Sequence, residues 1–174
     1  MTLAKLCTAH NLAIFSALSE EEGSIRELAE RTGSSPAKVL QAIKLFKEQG
    51  LINERKQKNR RVISLKQTHP LTRQLKALFN LDQMLSAKSI KALKKVGELR
   101  LYGSYAEGSD DAESDVDLLI LTAKSEMGLR PRLRALEKEL GRKVSALVMN
   151  DKEMEKLKAG DPEFANRLRQ ATTL

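Results

Sequence analysis

Apolar residues recur at spacings of three and four through the first third of the chain, a period typical of amphipathic helices. The pattern predicts helices at about residues 9–18, 24–33 and 35–50. The second helix begins with a capping-box pair, Ser24 and Glu27, and the third begins with a Ser-Pro start signal. We expect the third helix to bury four apolar residues: Val39, Leu40, Ile43 and Phe46.

A short apolar pair, a basic segment and a second apolar pair follow the third helix. Leu51-Ile52 and Val62-Ile63 flank residues 55–61, in which five of the seven residues are Lys or Arg. This pattern predicts a β-hairpin with a basic tip, next to a helix-turn-helix. The candidate nucleic-acid contacts are Lys38, Gln41, Lys44 and Lys47 on the outward face of the third helix and Arg55, Lys56, Lys58, Arg60 and Arg61 on the hairpin.

Residues 9–66, taken in this order, resemble the winged-helix DNA-binding domains of archaea and bacteria. The resemblance implies that this part of the chain binds double-stranded DNA. Helix-turn-helix units also serve as protein-docking modules, and a lysine-rich face is also compatible with simple solvation. The cluster of like charges on the hairpin tip favours nucleic acid, because a phosphate backbone would relieve the repulsion between them.

Leucines and methionines continue the helical spacing over residues 71–95. Asn80-Leu81-Asp82 predicts a break, with a further helix over residues 86–95. The Leu and Met stripe is interpreted as core or as the seam of a homodimer. The predicted divisions are residues 1–66 for the winged helix-turn-helix, 67–87 for a helical connector and 88–174 for a second domain.

Short apolar runs alternate with helical patterns in the second half of the chain. This alternation predicts an α/β (α+β) fold with a mixed sheet flanked by helices. The predicted strands are residues 98–102, 116–122 and 143–149. The predicted helices are one opened by Pro131 and capped by Gly141, one at residues 151–158 and one at residues 161–170.

Gly103-Ser104 and, after ten intervening residues, Asp115-Val116-Asp117 form the strongest chemical signal in the sequence. The glycine and serine follow the first predicted strand of this half, and the two carboxylates lie at the start of the next strand. Because side chains alternate along a strand, we expect Asp115 and Asp117 to share one face. Two carboxylates beside a turn with free backbone N–H groups predict a site for a divalent cation and a polyphosphate.

Through this motif the region from residue 88 onward resembles the minimal branch of the nucleotidyltransferase superfamily of the DNA polymerase β type. The matching residues are Gly103-Ser104, Ala106, Gly108, Ser114-Asp115-Val116-Asp117 and Leu118-Leu119-Ile120. The resemblance implies that Asp115 and Asp117 are catalytic residues that hold Mg²⁺ or Mn²⁺, and that Gly103 and Ser104 bind the phosphates of a nucleoside triphosphate. It also implies transfer of a nucleoside monophosphate, AMP from ATP by expectation, to a hydroxyl of a nucleic acid or of a protein such as a small toxin-like partner.

The chain departs from the superfamily pattern at one position. Active members add a third acidic residue on a later strand, where this sequence has Ser145. A neutral hydroxyl is a weak Mg²⁺ ligand and a poor base. Two hypotheses therefore stay open: a nucleotidyltransferase with a DNA-binding domain, favoured by the intact motif, or a winged-helix transcriptional regulator whose second domain binds nucleotide or a partner protein without turnover.

Charge and composition indicate which partners and which cellular location are compatible with the chain. The net charge is +8, and residues 1–66 carry 12 Lys or Arg against 7 Asp or Glu, which is compatible with a polyanionic partner. No apolar run approaches the roughly 20 residues needed to cross a bilayer, and no signal-type segment follows the first residues. With a single cysteine, Cys7, no intrachain disulfide can form. We expect a cytoplasmic protein without a membrane partner.

Overall fold

The structure is a computed structural model that describes residues 3–169 and 171–174. The chain divides into two compact units, Met1–Lys76 and Ala77–Leu174. This division falls inside the predicted connector, and the three-part boundaries inferred from the sequence stay a prediction.

Capped helices build the first part of the N-terminal unit. They are α1 Leu3–Leu6, α2 Ala9–Glu20, α3 Ile25–Thr32 and α4 Pro36–Glu48. The predicted capping box is confirmed, because the Ser24 backbone N–H donates to Glu27 Oε2 at 2.7 Å and the Glu27 N–H donates to Ser24 Oγ at 3.4 Å. Ser35 Oγ accepts the N–H of Lys38 in the same way at the start of α4. These caps satisfy amides that have no partner within their helices, and they define the helix-turn-helix.

The predicted hairpin is present after α4. Strand β1 Ile52–Gln57 pairs antiparallel with β2 Arg60–Leu65, and Gln57 faces Arg60 at the tip. Gly23, which lies between α2 and α3, adds a single bridge to the hairpin through reciprocal hydrogen bonds with Ile63 of 3.0 and 2.9 Å. No sequence pattern predicted this bridge. Helix-turn-helix, bridge and hairpin together make the N-terminal unit a winged helix.

Aliphatic residues surround one aromatic pair in the core of the N-terminal unit. Phe15 of α2 and Phe46 of α4 meet edge to face, with 6.2 Å between ring centroids. The prediction for α4 is wrong at one position, because Leu40 is 39% exposed. Ala42 is buried instead, because it lies on the same helical face as Val39, Ile43 and Phe46. Residue 40 is rotated by about 100° around the helix axis from residue 39 and therefore leaves that face.

One helix, α5 Pro70–Ser86, replaces the broken helix that was predicted. Asn80 does not interrupt it, because the side-chain amide is satisfied by tertiary contacts. Its Nδ2 donates to the backbone oxygen of Tyr105 at 2.8 Å and to Asp110 Oδ1 at 2.9 Å. A buried Asn with these partners does not compete with the helix backbone for hydrogen bonds.

The C-terminal unit is built on a four-stranded sheet in the order β5-β4-β3-β6. Strands β4 and β5 are parallel, and the other pairings are antiparallel, so the sheet is mixed as predicted. The short edge strand β6 was not predicted, and the predicted end of the last helix, Gln170, lies outside the described residues. The elements are α6 Lys88–Lys94, β3 Glu98–Tyr102, α7 Gly103–Glu107, β4 Val116–Leu121, α8 Glu126–Leu140, β5 Val144–Met149, α9 Asp151–Gly160, α10 Pro162–Arg169 and β6 Thr172–Thr173.

Each face of this sheet carries its own apolar cluster. Val116, Leu118 and Ile120 of β4 point to one face, which α6 and α8 cover. Leu119 points to the other face, where α9 and α10 contribute Met154 and Leu168. Successive side chains along β4 therefore point to opposite faces of the sheet. Asp117, like Leu119, points to the face that α9 and α10 cover.

Helix α8 begins earlier than the sequence predicted. Pro131 was expected to open it, but the helix starts at Glu126 and the proline lies inside it. The burial of Leu129, which precedes the proline, favours the longer helix. Pro131 itself is exposed, so the amide hydrogen bond that it lacks is lost on the solvent side. Within the described residues, no helix is both long and apolar enough to cross a membrane.

Candidate functional site

Three neighbouring strands bring three polar side chains into one row. Asp117 of β4 is the register partner of Tyr102 on β3 and of Ser145 on β5. Register partners on neighbouring strands point to the same face of a sheet, so the three side chains lie side by side. The serine at the position where the superfamily pattern has an acid is therefore directly beside Asp117.

Gly103 lies against the carboxylate of Asp117. Its φ of +73° is in the left-handed region, and a Cβ at this position would overlap Asp117 Oδ2 while lying 3.0 Å from Cγ. Glycine is the residue that satisfies both conditions, because it has no Cβ and adopts positive φ without strain. Gly103 begins helix α7, and Ser104 is its second residue. The motif predicted from the sequence thus forms one compact constellation at the end of β3 and the start of β4.

The two carboxylates of the motif interact electrostatically. Asp115 is exposed and precedes β4, and Asp117 is partly buried at its second residue. Burial, and after it the negative charge of Asp115, raise the pKa of Asp117 above its ordinary value. The pKa of Tyr102 is also raised, by burial and then by the charge of Asp117. A cation placed between the two carboxylates would relieve this repulsion.

The oxygen ligands of the site fit a metal ion that is bound partly by the protein and partly by a substrate. Across the described parts of the chain, no three His, Cys, Asp or Glu side chains gather as a metal site. Asp115 and Asp117 supply two carboxylates, and Ser145 supplies a neutral oxygen. Mg²⁺ is commonly bound by one or two carboxylates together with water and substrate phosphates, so this pair can hold Mg²⁺ when a polyphosphate completes the shell.

Arg142 holds the loop that leads to Asp115. Its Nη1 donates to the backbone oxygens of Asp111 at 2.6 Å and Ser114 at 3.2 Å, and its Nη2 lies 3.3 Å from Asp110 Oδ2. The guanidinium also lies over the ring of Tyr105, 5.5 Å from its centroid. No sequence pattern predicted this arrangement, because Arg142 is distant from the loop along the chain.

A cavity of about 420 Å³ opens beside the row of polar side chains. Gly103 and Asp117 line one part of it, and Phe164 and Arg167 of α10 line another. Neither Ser104 nor Asp115 is among the described residues in its wall. Sequence reasoning missed Phe164 and Arg167, since an aromatic residue at helical spacing is equally typical of core and a single arginine is equally typical of a solvated face.

The candidate DNA contacts lie on exposed parts of the N-terminal unit. Lys38, Gln41, Lys44 and Lys47 are all exposed on α4, and the five basic residues of the hairpin are also exposed. Several of these charges are paired within the unit, a feature that the sequence did not indicate. Arg55 pairs with Glu22, Arg60 with Glu27, and both Lys47 and Arg61 pair with Glu54. Intramolecular carboxylates therefore already relieve part of the repulsion on the hairpin.

A comparison with protein families identifies the class of the C-terminal segment. Residues 85–170 match the family model described as a nucleotidyltransferase domain. This segment of the chain is a nucleotidyltransferase domain, which confirms the resemblance that Gly103-Ser104 and Asp115-x-Asp117 indicated. No curated protein matches the chain.

Several solved structures are each similar to about half of the chain. A predicted DNA-binding transcriptional regulator from E. coli is 26% identical over 45% of this chain and 83% of its own, with a TM-score of 0.41. HlyU from Vibrio cholerae is 26% identical over 49% of this chain and 88% of its own, with a TM-score of 0.41. Lactococcus lactis ZitR, solved in complex with DNA, is 23% identical over 51% of this chain and 68% of its own, with a TM-score of 0.36. These TM-scores are too low to identify the fold. The winged helix is identified from the helices and the hairpin of the N-terminal unit itself.

Proposed function

We propose that the C-terminal domain binds a nucleoside triphosphate with Mg²⁺ or Mn²⁺ and transfers the nucleoside monophosphate, AMP from ATP, to a hydroxyl of a protein or nucleic acid. The hydroxyl oxygen bonds to the α-phosphorus and loses its proton, while the bond to the β-phosphate breaks and pyrophosphate leaves. The close approach of Gly103 to Asp117 carries this proposal. A glycine at positive φ, with no room for a Cβ against a carboxylate, fits a backbone that must lie near both a metal ligand and a phosphate.

Each residue of the motif has a task in this proposal. Asp115 and Asp117 hold the cation, which supplies charge neutralisation at the phosphates when it is bound. Gly103 lets the backbone approach the phosphates, and Ser104 offers its N–H and hydroxyl to them. Ser145 stands where a third carboxylate would hold the cation and accept the proton of the attacking hydroxyl. We expect slow transfer for that reason.

Binding and transfer are tested separately. Mg-ATP binding is measured by calorimetry in the wild type and in Asp115→Ala with Asp117→Ala, and Asp151→Ala on α9 serves as an exposed carboxylate control. We expect the double variant to lose Mg²⁺-dependent binding and the control to retain it. Incubation with α-labelled ATP and a lysate, or a protein encoded beside this one, then tests transfer. Equal Mg-ATP affinity in the wild type and the double variant would refute the site.

Ser145 favours a second candidate function, that of a regulator which binds nucleotide or a partner protein without turnover. This candidate predicts Mg-ATP binding by the wild type and no label on any acceptor, including a toxin-like protein from a neighbouring gene. Label that appears in the wild type and disappears in the double variant would exclude it. Saturable binding with no labelled acceptor under any condition would favour it.

We also propose that the N-terminal unit binds double-stranded DNA. The exposed row on α4 suits the major groove, and the hairpin suits the neighbouring backbone. Lys56 and Lys58, at the tip of the hairpin, have no ion-pair partner among the described residues, unlike Arg55, Arg60 and Arg61. These two lysines can meet phosphates without first breaking an ion pair, so we expect them to contribute most to affinity.

Salt dependence measures these phosphate contacts. We expect Lys56→Ala with Lys58→Ala to reduce the slope of log affinity against log salt by about 2 for duplex DNA, since each lost phosphate contact removes about one unit. Arg60→Ala with Arg61→Ala should weaken binding to a lesser degree. Lys91→Ala with Lys94→Ala, on exposed positions of α6, is the matched control. An unchanged slope in the Lys56 and Lys58 variant would show that the hairpin does not contact the DNA.

A homodimer is proposed on the exposed apolar residues of α5. Leu78 is 61% exposed and Leu85 is 45% exposed, and the two are seven residues apart on the same helical face. A symmetric pair of winged helices would suit two DNA half-sites. Sedimentation of the wild type against Leu78→Glu tests the seam, and a monomeric wild type would refute it.

A further inference from the structure

We propose that Arg167 of α10 is the cation that binds the triphosphate in the candidate active site, and that the ring of Phe164 holds its guanidinium in place. The inference rests on the proposed nucleotide binding and adds two residues outside the Gly-Ser and Asp-x-Asp motif. Both residues line the cavity that contains Gly103 and Asp117.

The charge balance of the cavity requires a cation from the protein. The charged side chains in its wall are those of Glu107, Asp117 and Arg167, so Arg167 carries the only positive charge among the described residues that line it. A triphosphate brings several negative charges to this acidic wall, and the two positive charges of one divalent ion are already balanced by the carboxylates of Asp115 and Asp117. A guanidinium suits the remaining phosphate oxygens, because its planar fork donates two parallel hydrogen bonds.

The position of Arg167 is set by aromatic packing. Its guanidinium carbon lies 5.3 Å from the ring centroid of Phe164, within cation–π range. Phe164 in turn meets Tyr102 edge to face, with ring centroids 6.5 Å apart, and packs on the apolar cluster of Leu119 and Leu168. Tyr102 is the register partner of Asp117, so a chain of contacts connects the carboxylate to the guanidinium.

The start of α10 fixes Phe164 from the backbone side as well. The N–H of Phe164 donates to Asp161 Oδ1 at 2.9 Å, which caps the helix. Arg167 follows one turn later on the same face. An exposed arginine held by a ring loses less rotamer freedom when it binds phosphate than a free arginine does. The charge of Arg167 would strengthen the binding of a phosphate but not of a neutral hydroxyl.

The test compares ATP, ADP, AMP and adenosine as probes of the full chain, in Mg²⁺ and in EDTA. We expect Arg167→Ala to weaken ATP binding about tenfold or more and to leave adenosine binding unchanged. Arg169→Ala, which changes an exposed arginine on the same helix outside the cavity, should bind ATP like the wild type. Phe164→Leu keeps an apolar side chain without a ring, and we expect it to weaken ATP binding several-fold and adenosine binding not at all.

Four results would overturn all or part of the inference. If Arg167→Ala binds ATP as tightly as the wild type, Arg167 does not contact the phosphates. If Arg167→Ala loses ATP affinity and adenosine affinity equally, the substitution disturbs the pocket in general. Equal weakening of adenosine and ATP in Phe164→Leu would assign the ring to the base and not to Arg167. The EDTA arm separates this inference from the metal site: if binding shows no Mg²⁺ dependence but is still reduced in Arg167→Ala, only the metal site fails, and if the wild type binds no ATP at all, both fail.

Discussion

The contact between Gly103 and Asp117 makes Gly103→Ala the sharpest single test of the candidate site. The substitution adds one carbon to a residue with φ +73°, and that carbon would overlap Asp117 Oδ2 and lie 3.0 Å from Cγ and 3.2 Å from Cβ. Ordinary carbon contacts are about 3.5–4.0 Å, so the carboxylate would have to move by about 1 Å. A non-glycine residue in the left-handed region also costs about 1–2 kcal/mol of stability.

Two control variants separate the strain from the displaced carboxylate. Gly141 has φ +66° and Gly33 has φ +60°, and a Cβ at either position meets nothing within 4 Å. Gly141→Ala in the C-terminal unit and Gly33→Ala in the N-terminal unit should therefore lose about the same 1–2 kcal/mol of stability with no change at the site. Gly103→Ala should lose at least that much and also lose Mg-ATP affinity.

Urea unfolding and Mg-ATP calorimetry measure the two effects. We expect Gly103→Ala to bind Mg-ATP at least tenfold more weakly, and label transfer, if present, to fall by about 100-fold, the scale of a 1 Å misplacement. Gly141→Ala and Gly33→Ala should bind like the wild type. Wild-type affinity in Gly103→Ala, or an equal loss in Gly141→Ala, would refute the reasoning that the glycine is required by the carboxylate.

The other predictions concern Asp117 itself, its register partner Ser145, and Arg142, which holds the loop before Asp115. Ser145→Asp should raise Mg²⁺ affinity, since it places a third carboxylate beside Asp117, and Ser145→Asn is the control; equal Mg²⁺ titrations of the two would contradict this expectation. Because burial and Asp115 raise the pKa of Asp117, its ionisation opposes folding, and that loss of stability appears as pH rises through the folded-state pKa. Asp117→Asn should therefore unfold at higher temperature than the wild type at neutral pH in EDTA, and the gain should vanish as pH falls below the ordinary Asp value of 3.8; a gain that persists at low pH would contradict it. Arg142→Ala should cost about 3 kcal/mol, because it removes a partner of the buried Asp110, whereas Arg134→Ala on the exposed side of α8 should cost under about 0.5 kcal/mol in the same urea assay.

Local rules were sufficient for most of the secondary structure. Caps, glycine stops and apolar period predicted α2, α3, α4 and the hairpin, because these signals act within one or two turns of the chain. The same rules were wrong at Asn80 and at Pro131. In both cases a tertiary contact outweighed a local preference: the amide of Asn80 is bonded to Tyr105 and Asp110, and Leu129 is buried before the proline.

The nucleotidyltransferase motif and the winged-helix pattern were both recognisable in the sequence, because each consists of short segments whose residue spacing reflects local backbone geometry. The side chains that lie next to Asp117 depend instead on how the strands and helices pack. Strand register places Ser145 and Tyr102 beside it, and α10 brings Phe164 and Arg167 to the same cavity. These residues are far apart along the chain, so their meeting depends on sheet order and helix packing, which no local pattern encodes.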